Sequence, residues 1–372
     1  MKVPFYDATR EYNIYKNEFD KAIAGVIASG AFILGKQVQE FEEAVCKYTG
    51  AKYAVGVANG SDALVIASDI LGYKNGAEVL TPVFTFFAST SCIARLNGQP
   101  AFCDVDEDTF CMDMKDAGNR ITGKTKGILP VHLFLQTADM NACMELAQKH
   151  HLTVLEDAAE AFGMRIMYNG EYKHSGLIGD FGVFSFFPTK TLGGYGDGGM
   201  IVTNNEELYQ KAKSYRTHGS SKKYHHDYIG YNSRLDTLQA AVLNVKLSHI
   251  DIAIQKRADH ASHYCEMLKG VSGIKLPVIK NGNKEANYVF CIQSEKRDAL
   301  EKYLQSKEIG TSIYYPIPLH LQKCFEYLGY KKGDFPTAEK LCETVLALPM
   351  FPELTEDEVS FVCESIKEFY QR

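Results

Sequence analysis

The chain has 372 residues, 45% hydrophobic and 23% charged, with a net charge of −6. That describes an ordinary globular protein of roughly two domains, or one large and one small. It excludes the clustered basic surface of a nucleic-acid binder, and the apolar runs are too short to span a bilayer. Met1-Lys2-Val3-Pro4-Phe5 lacks the apolar segment of a signal peptide, so no export is expected. The ten cysteines form no C-x-x-C pair. Neither a zinc site nor a disulfide framework is expected, and they read as reduced core residues of a cytoplasmic protein.

Residues 1–50 read as an N-terminal arm and helices. Phe19, Ile23, Val26 and Ile27 follow helical spacing up to Ser29-Gly30, and Val38, Phe41, Val45 and Tyr48 give a second amphipathic helix. Residues 53–58 read as a strand. It runs into Asn59-Gly60-Ser61-Asp62 and a helix over 63–71. Strand, small-residue turn and helix N-terminus leave free backbone N–H groups that suit a phosphate, and Ser61 adds a hydroxyl. An ordinary helix cap, with Ser61 or Asp62 satisfying the helix's first turn, explains the same residues at least as well.

Residues 78–82 form the next strand, and Phe84-Thr85-Phe86-Phe87 starts the helix after it. An aromatic there either stacks on a planar cofactor ring or belongs to the core. Residues 100–105 and 127–132 are further strands, alternating with helices, and a helix over 139–150 follows. Residues 152–160 then carry Glu156, Asp157 and Glu160 at the C-terminal edge of a strand. Open parallel sheets bind ligands at that edge. The alternation predicts an α/β fold, with a mostly parallel central sheet covered by helices on both faces.

The stretch that organises the chain is Ser185-Phe186-Phe187-Pro188-Thr189-Lys190-Thr191-Leu192-Gly193-Gly194-Tyr195-Gly196-Asp197-Gly198-Gly199. Apolar strands over 181–187 and 200–203 flank it, so Lys190 sits on a connection between two rigid elements. A solvated surface lysine is the ordinary alternative. In so apolar a setting Lys190 is expected to have a lowered pKa and to attack carbonyls. The glycines loosely fit a dinucleotide fingerprint, but that motif opens a helix and these lead into a strand. Asp157 is the candidate partner. Pyridoxal phosphate (PLP) combines a lysine Schiff base with an acid for its protonated ring nitrogen.

A helix over 207–215 follows, then a polar segment with His218, His225 and His226. No further residues at metal-ligand spacing accompany them, so no metal site is expected. A strong amphipathic helix over 235–247 runs on to about 268. It marks the expected division into a large domain, 1–248, that includes the N-terminal arm, and a smaller C-terminal α+β domain, 249–372. In the second part, 288–293 alternates like a strand, 297–307 is helical, 311–318 is extended and aromatic, and the last helix covers 356–370.

Six motifs in order resemble the sugar aminotransferases of the DegT–StrS family, which have the type I fold of PLP-dependent transferases. They are Asn59-Gly60-Ser61-Asp62-Ala63-Leu64, Thr85-Phe86, Glu156-Asp157-Ala158-Ala159, Ser185-Phe186-Phe187 with Lys190 and Gly196-Asp197-Gly198-Gly199, Gly230-Tyr231-Asn232-Ser233-Arg234-Leu235-Asp236, and Tyr315-Pro316-Ile317-Pro318-Leu319-His320. The resemblance ends at Leu348-Pro349-Met350-Phe351-Pro352. It implies that Lys190 bonds to the cofactor, Asp157 holds the pyridinium and Phe86 stacks on the ring. It implies that Gly60, Ser61 and Ser185 hold the phosphate, and that Asn232 reaches the neighbouring subunit's phosphate in a homodimer with shared sites. Glu160 departs from the glutamine that many relatives carry near the cofactor's phenolic oxygen. Phe134-Leu135-Gln136 stands where relatives often have Tyr-Gly.

The implied reaction is amino transfer from glutamate to a nucleotide-linked keto-sugar, in the biosynthesis of amino sugars for surface polysaccharide. The segment at 315–320, with Lys223-Tyr224-His225-His226 and Arg234, looks most like members acting on 3-oxo dTDP- or UDP-sugars. Arg234 then either pairs with a sugar carboxylate or is a dimer contact, while Tyr314, Tyr315 and His320 line the sugar pocket. A 4-oxo sugar, a cyclitol or amino-acid acceptor, and a non-catalytic regulator on the same fold are the competing readings.

Overall fold

The computed structural model describes residues 1–278 and 282–371. Nine strands appear in the first part of the chain: β1 Tyr53–Val57, β2 Glu78–Pro82, β3 Gln99–Cys103, β4 Thr125–Ile128, β5 Thr153–Asp157, β6 Arg165–Tyr168, β7 Glu171–His174, β8 Phe181–Ser185 and β9 Gly199–Thr203. Seven of them make one sheet in the order β1-β9-β8-β5-β4-β2-β3. Only β9 runs against its neighbours, pairing antiparallel with β1 and β8. The expected mostly parallel sheet is present. The carboxyl ends of β2, β5 and β8 therefore open on the same edge.

Both faces of the sheet are covered. On one lie α4 (Gly60–Leu71) and α5 (Phe87–Ala94), whose Leu64, Ile66 and Ile93 share one buried core with residues of the sheet such as Leu80, Ile128 and Leu155. On the other lies the helix Lys36–Thr49. Val38, Phe41 and Val45, at helical spacing, bury against Phe184, Phe186, Met200 and Val202. Gly50 closes this helix in the left-handed conformation, φ +87°, which glycine adopts without penalty.

A second, three-stranded sheet follows: Ile274–Lys275, Phe290–Ser294 and Val345–Leu348, all antiparallel. The helices Ile250–Leu268, Arg297–Ser306 and Glu356–Gln371 surround it. Alternate residues of its strands serve two cores. Phe290, Ile292, Leu346 and Leu348 pack in the C-terminal core, while Cys291, Val345 and Ala347 pack against the large sheet's core. Residues on either side of the break between Ser248 and Ile250 are thus joined by shared packing. The N-terminal arm crosses as well, since Val3 pairs with Ile309 and lies in the C-terminal core.

The hairpin β6–β7 was not evident in the sequence. It ends at His174, which is 1% exposed. Its Nε2 accepts from Gly163 N–H at 2.9 Å and its Nδ1 bonds Ser175 O at 2.7 Å, so the neutral ring is fully used. Burial pushes its pKa down to about 4. A depressed folded-state pKa means that this contribution is complete above the unfolded value, about 6.5, and is lost as pH falls through 4. We expect wild-type unfolding free energy to drop by about 3 kcal/mol from this group over that window. The drop should shrink by about that amount in His174→Gln, measured by urea titration at pH 7 and pH 4.

Candidate active site

A cavity of about 610 Å³ lies at the carboxyl edge of the large sheet. Asn59, Gly60 and Ser61 from the start of α4, Asp157 from the end of β5, Ser185 from the end of β8 and Lys190 from the loop after it all line it. Asn59 Oδ1 accepts from Asp62 N–H at 2.7 Å and caps the helix. A cap is therefore present, but Asn59 supplies it rather than Ser61 or Asp62. It leaves the N–H groups of Gly60 and Ser61 without intrahelical partners. Gly60 must be glycine for close approach. A Cβ there would stand 2.7 Å from Ser185 Cβ. The run after the lysine works the same way. A Cβ on Gly199 would meet the Asn59 carbonyl at 2.4 Å, so the loop presses against the start of α4.

Lys190 is fixed by its own loop. Its N–H donates to Phe187 O at 2.9 Å, and the N-terminal arm's Tyr6 hydroxyl donates to Pro188 O at 2.6 Å. Its side chain is 15% exposed, and Nζ lies 3.1 Å from Glu160 Oε1. The other Glu160 oxygen accepts from Phe134 N–H at 3.1 Å. Burial alone lowers the ammonium's pKa, but Glu160, with Tyr288 and Asp157, outweighs it and the net direction is upward. The expectation of a lowered lysine pKa is thus overturned, because it considered the apolar neighbours and not the carboxylate.

Asp157 is buried. Its Oδ2 accepts from Ser89 Oγ at 2.7 Å and its Oδ1 from Ala159 N–H at 3.1 Å. Burial raises its pKa, and those hydrogen bonds and Lys190 only partly offset the rise. Its neighbour Glu156 points the other way, as strand alternation requires. It is fully buried and accepts from Gly176, Ile178 and Gly179 N–H and from His132 Nε2 at 2.9 Å. The His132 proton sits on Nε2 because Nδ1 accepts from Ala138 N–H.

The aromatics divide cleanly. Phe84 is core, packed on Phe110 and Phe134, while Phe86 lines the cavity and is 58% exposed. Tyr314 and Tyr315 line the far wall, and burial raises Tyr314 to about 12. Phe134 takes φ +59° in the tight turn Leu133–Gln136, and its ring stacks with both tyrosines. His320 is a correction. It does not line this cavity; it is 2% exposed, bonds Glu339 through Nε2 at 3.1 Å and packs on Phe335. Asn232 and Arg234 do not line it either. They line an adjoining depression of about 430 Å³, and Asn59 and Asp197 border both spaces. Ser89, Thr189, Tyr288 and Arg95 line the cavity and were not singled out from sequence. Thr85 lies just before the helix that carries Ser89, and their hydroxyls, 3.0 Å apart across a spacing of four, were the available signal for the first.

Among the described residues no three His, Cys, Asp or Glu side chains gather as a metal site, and no helix is long and apolar enough to cross a membrane.

Residues 13–367 match the model of the DegT/DnrJ/EryC1/StrS aminotransferase family. The chain is 45% identical to a pleiotropic regulatory protein of Geobacillus stearothermophilus, over 100% of this chain and 99% of that one. It is 40% identical to a UDP-N-acetyl-3-dehydro-alpha-D-glucosamine 3-aminotransferase of Acidithiobacillus ferrooxidans, over 98% and 97%. Its fold superposes on the crystal structure of S. venezuelae DesV in complex with a ketimine intermediate, with TM-score 0.96, 37% identity and coverage of 100% and 99%. It also superposes on NtdA from Bacillus subtilis with bound cofactor PMP, with TM-score 0.90, 29% identity and coverage of 100% and 86%.

Proposed function

The chain belongs to the DegT/DnrJ/EryC1/StrS aminotransferase family, and from that premise we propose that it is a PLP-dependent aminotransferase that moves an amino group from glutamate to a nucleotide-linked 3-oxo sugar. One observation carries the reading. A lysine, a buried carboxylate, an exposed aromatic and an open helix N-terminus converge on one cavity of cofactor size.

The residues fit the cofactor. In the cradle of Gly60, Ser61 and Ser185, the N–H groups of Gly60 and Ser61, at the open start of a helix, and the hydroxyls of Ser61 and Ser185 suit a phosphate. Burial disfavours the charge of Asp157, and this carboxylate would hold the protonated ring nitrogen of the cofactor, whose positive charge would stabilise it. Phe86 offers a ring face. When bound, PLP supplies an electron sink for the carbanion formed at the substrate carbon. Lys190 Nζ would hold the cofactor covalently and, as a free amine, would move the proton at the substrate carbon. Glu160 Oε1, 3.1 Å away, holds the released amine in place. Tyr314 and Tyr315 wall off water.

Asn232 and Arg234 lie beside this cavity rather than in it, which supports a homodimer in which each serves the partner's site. We treat 1–248 and 249–372 as the two lobes of each subunit. The ten free cysteines support work in the cytoplasm, supplying amino sugars for surface polysaccharide.

The test is spectroscopic. Purified protein with PLP should show the absorbance band of the lysine-bound cofactor, and glutamate should bleach it. A panel of 3-oxo dTDP-sugars, 3-oxo UDP-sugars, 4-oxo sugars and cyclitol ketones should then restore the band only with its own acceptor. A protein that binds PLP and resists bleaching would support the regulatory reading that the G. stearothermophilus relative's name suggests.

A further inference from the structure

Lys190 has a second neighbour besides Glu160. Its Nζ lies 4.5 Å from the centroid of the Tyr288 ring. Tyr288 is 6% exposed, and its hydroxyl bonds Thr189 Oγ1 at 3.1 Å, one residue from the lysine. The tyrosine does not come from the lysine's part of the chain. It lies just before the strand Phe290–Ser294, and its position is set by a buried cation. Arg257, 1% exposed, donates from Nη1 to the carbonyls of Asn287 (3.3 Å), Tyr288 (3.1 Å) and Met350 (2.9 Å). The contact chain runs from the long helix Ile250–Leu268, through Arg257 and Tyr288, to the Lys190 loop.

A cation over an aromatic face is stabilised, and more so where water is excluded. A freed lysine on a four-carbon stem loses its aim unless something limits its path. We propose that Tyr288 is the positioning residue of Lys190: its ring face holds the released ammonium, and its hydroxyl, tied to Thr189, fixes that ring. The C-terminal part of the chain thereby sets where the amine waits between half-reactions. This rests on the reading of Lys190 as the cofactor-bonding residue. The charged and titratable groups around the amine are Glu160, Tyr288, Asp157 and Tyr314. Removal of the ring face alone leaves the others in place.

The test uses PLP and cofactor-free protein. Lys190 reacts with PLP only as the neutral amine, so the rate of band growth against pH reports its charge without turnover. Tyr288→Leu and Tyr288→Met both remove the ring face. Each should move the midpoint to lower pH by about half a unit or more. Having two variants guards against one that does not fold, as judged by thermal melting. Tyr288→Phe and Thr189→Val keep the face and lose the tether. They should keep the wild-type midpoint while transamination kcat falls several-fold at unchanged KM for glutamate. A Leu or Met variant that titrates like wild type overturns the proposal, as does a Phe variant that shifts as far as Leu. Wild-type protein that develops no band with PLP overturns the cofactor reading, and this proposal with it.

Discussion

Replacement of Lys190 by alanine is expected to lower kcat/KM by at least 10⁴-fold, about 5–6 kcal/mol of transition-state stabilisation. Two roles disappear together. The covalent hold on the cofactor is lost, and so is the amine that carries the proton at the substrate carbon. The substitution also removes Glu160's ion-pair partner, leaving that carboxylate with the Phe134 N–H as its remaining bond. The purified variant should fold by circular dichroism, bind PLP without the wild-type absorbance band and fail to turn over. A small primary amine such as methylamine should fit the space left by the side chain and restore part of the rate. A variant that keeps more than a few per cent of wild-type activity would exclude Lys190 as the catalytic amine.

The second large effect separates stability from activity. Asp157→Asn should lower kcat about 10²–10³-fold, as removal of one preorganised electrostatic partner typically does. Without cofactor the same change should leave thermal stability unchanged or raise it. The sign follows from Asp157's raised pKa, caused first by burial. An acid whose folded pKa is raised costs stability as pH rises through its titration, and a neutral isostere avoids that cost. The asparagine can keep its acceptor toward Ala159 N–H while the Ser89 hydroxyl turns to accept. Melting temperatures at pH 7 to 8, set beside stopped-flow rates, provide the check. A variant that loses stability with activity would mean that Asp157 is a structural anchor.

Much of this site was legible from short-range chemistry. Lys190 stood between two apolar strands, Asp157 at a strand's end and Gly60-Ser61 at a helix start, and each depends on its immediate neighbours. What could not be read depended on residues far along the chain. Tyr288 meets Lys190 only because the second sheet buries one face on the first. The strand Val345–Leu348 gave no alternation because both of its faces are buried. The family resemblance put His320 in the sugar pocket, but Glu339, nineteen positions on, holds it inside the fold. The lysine's raised pKa needed Glu160, thirty positions earlier in the chain, to be within 3.1 Å.

The N-terminal arm has a consequence for biosynthesis. Val3 pairs with Ile309, and Tyr6 donates to the carbonyl next to the lysine's loop. Val3 cannot find its partner until the segment around Ile309, some three hundred positions further along, has also been made. Nascent chains fold domain by domain as they are made, yet the arm that braces Pro188 is anchored only once residue 309 has been made. A truncated chain would thus carry the lysine without its finished cradle, so unfinished translation products would not release a working catalyst.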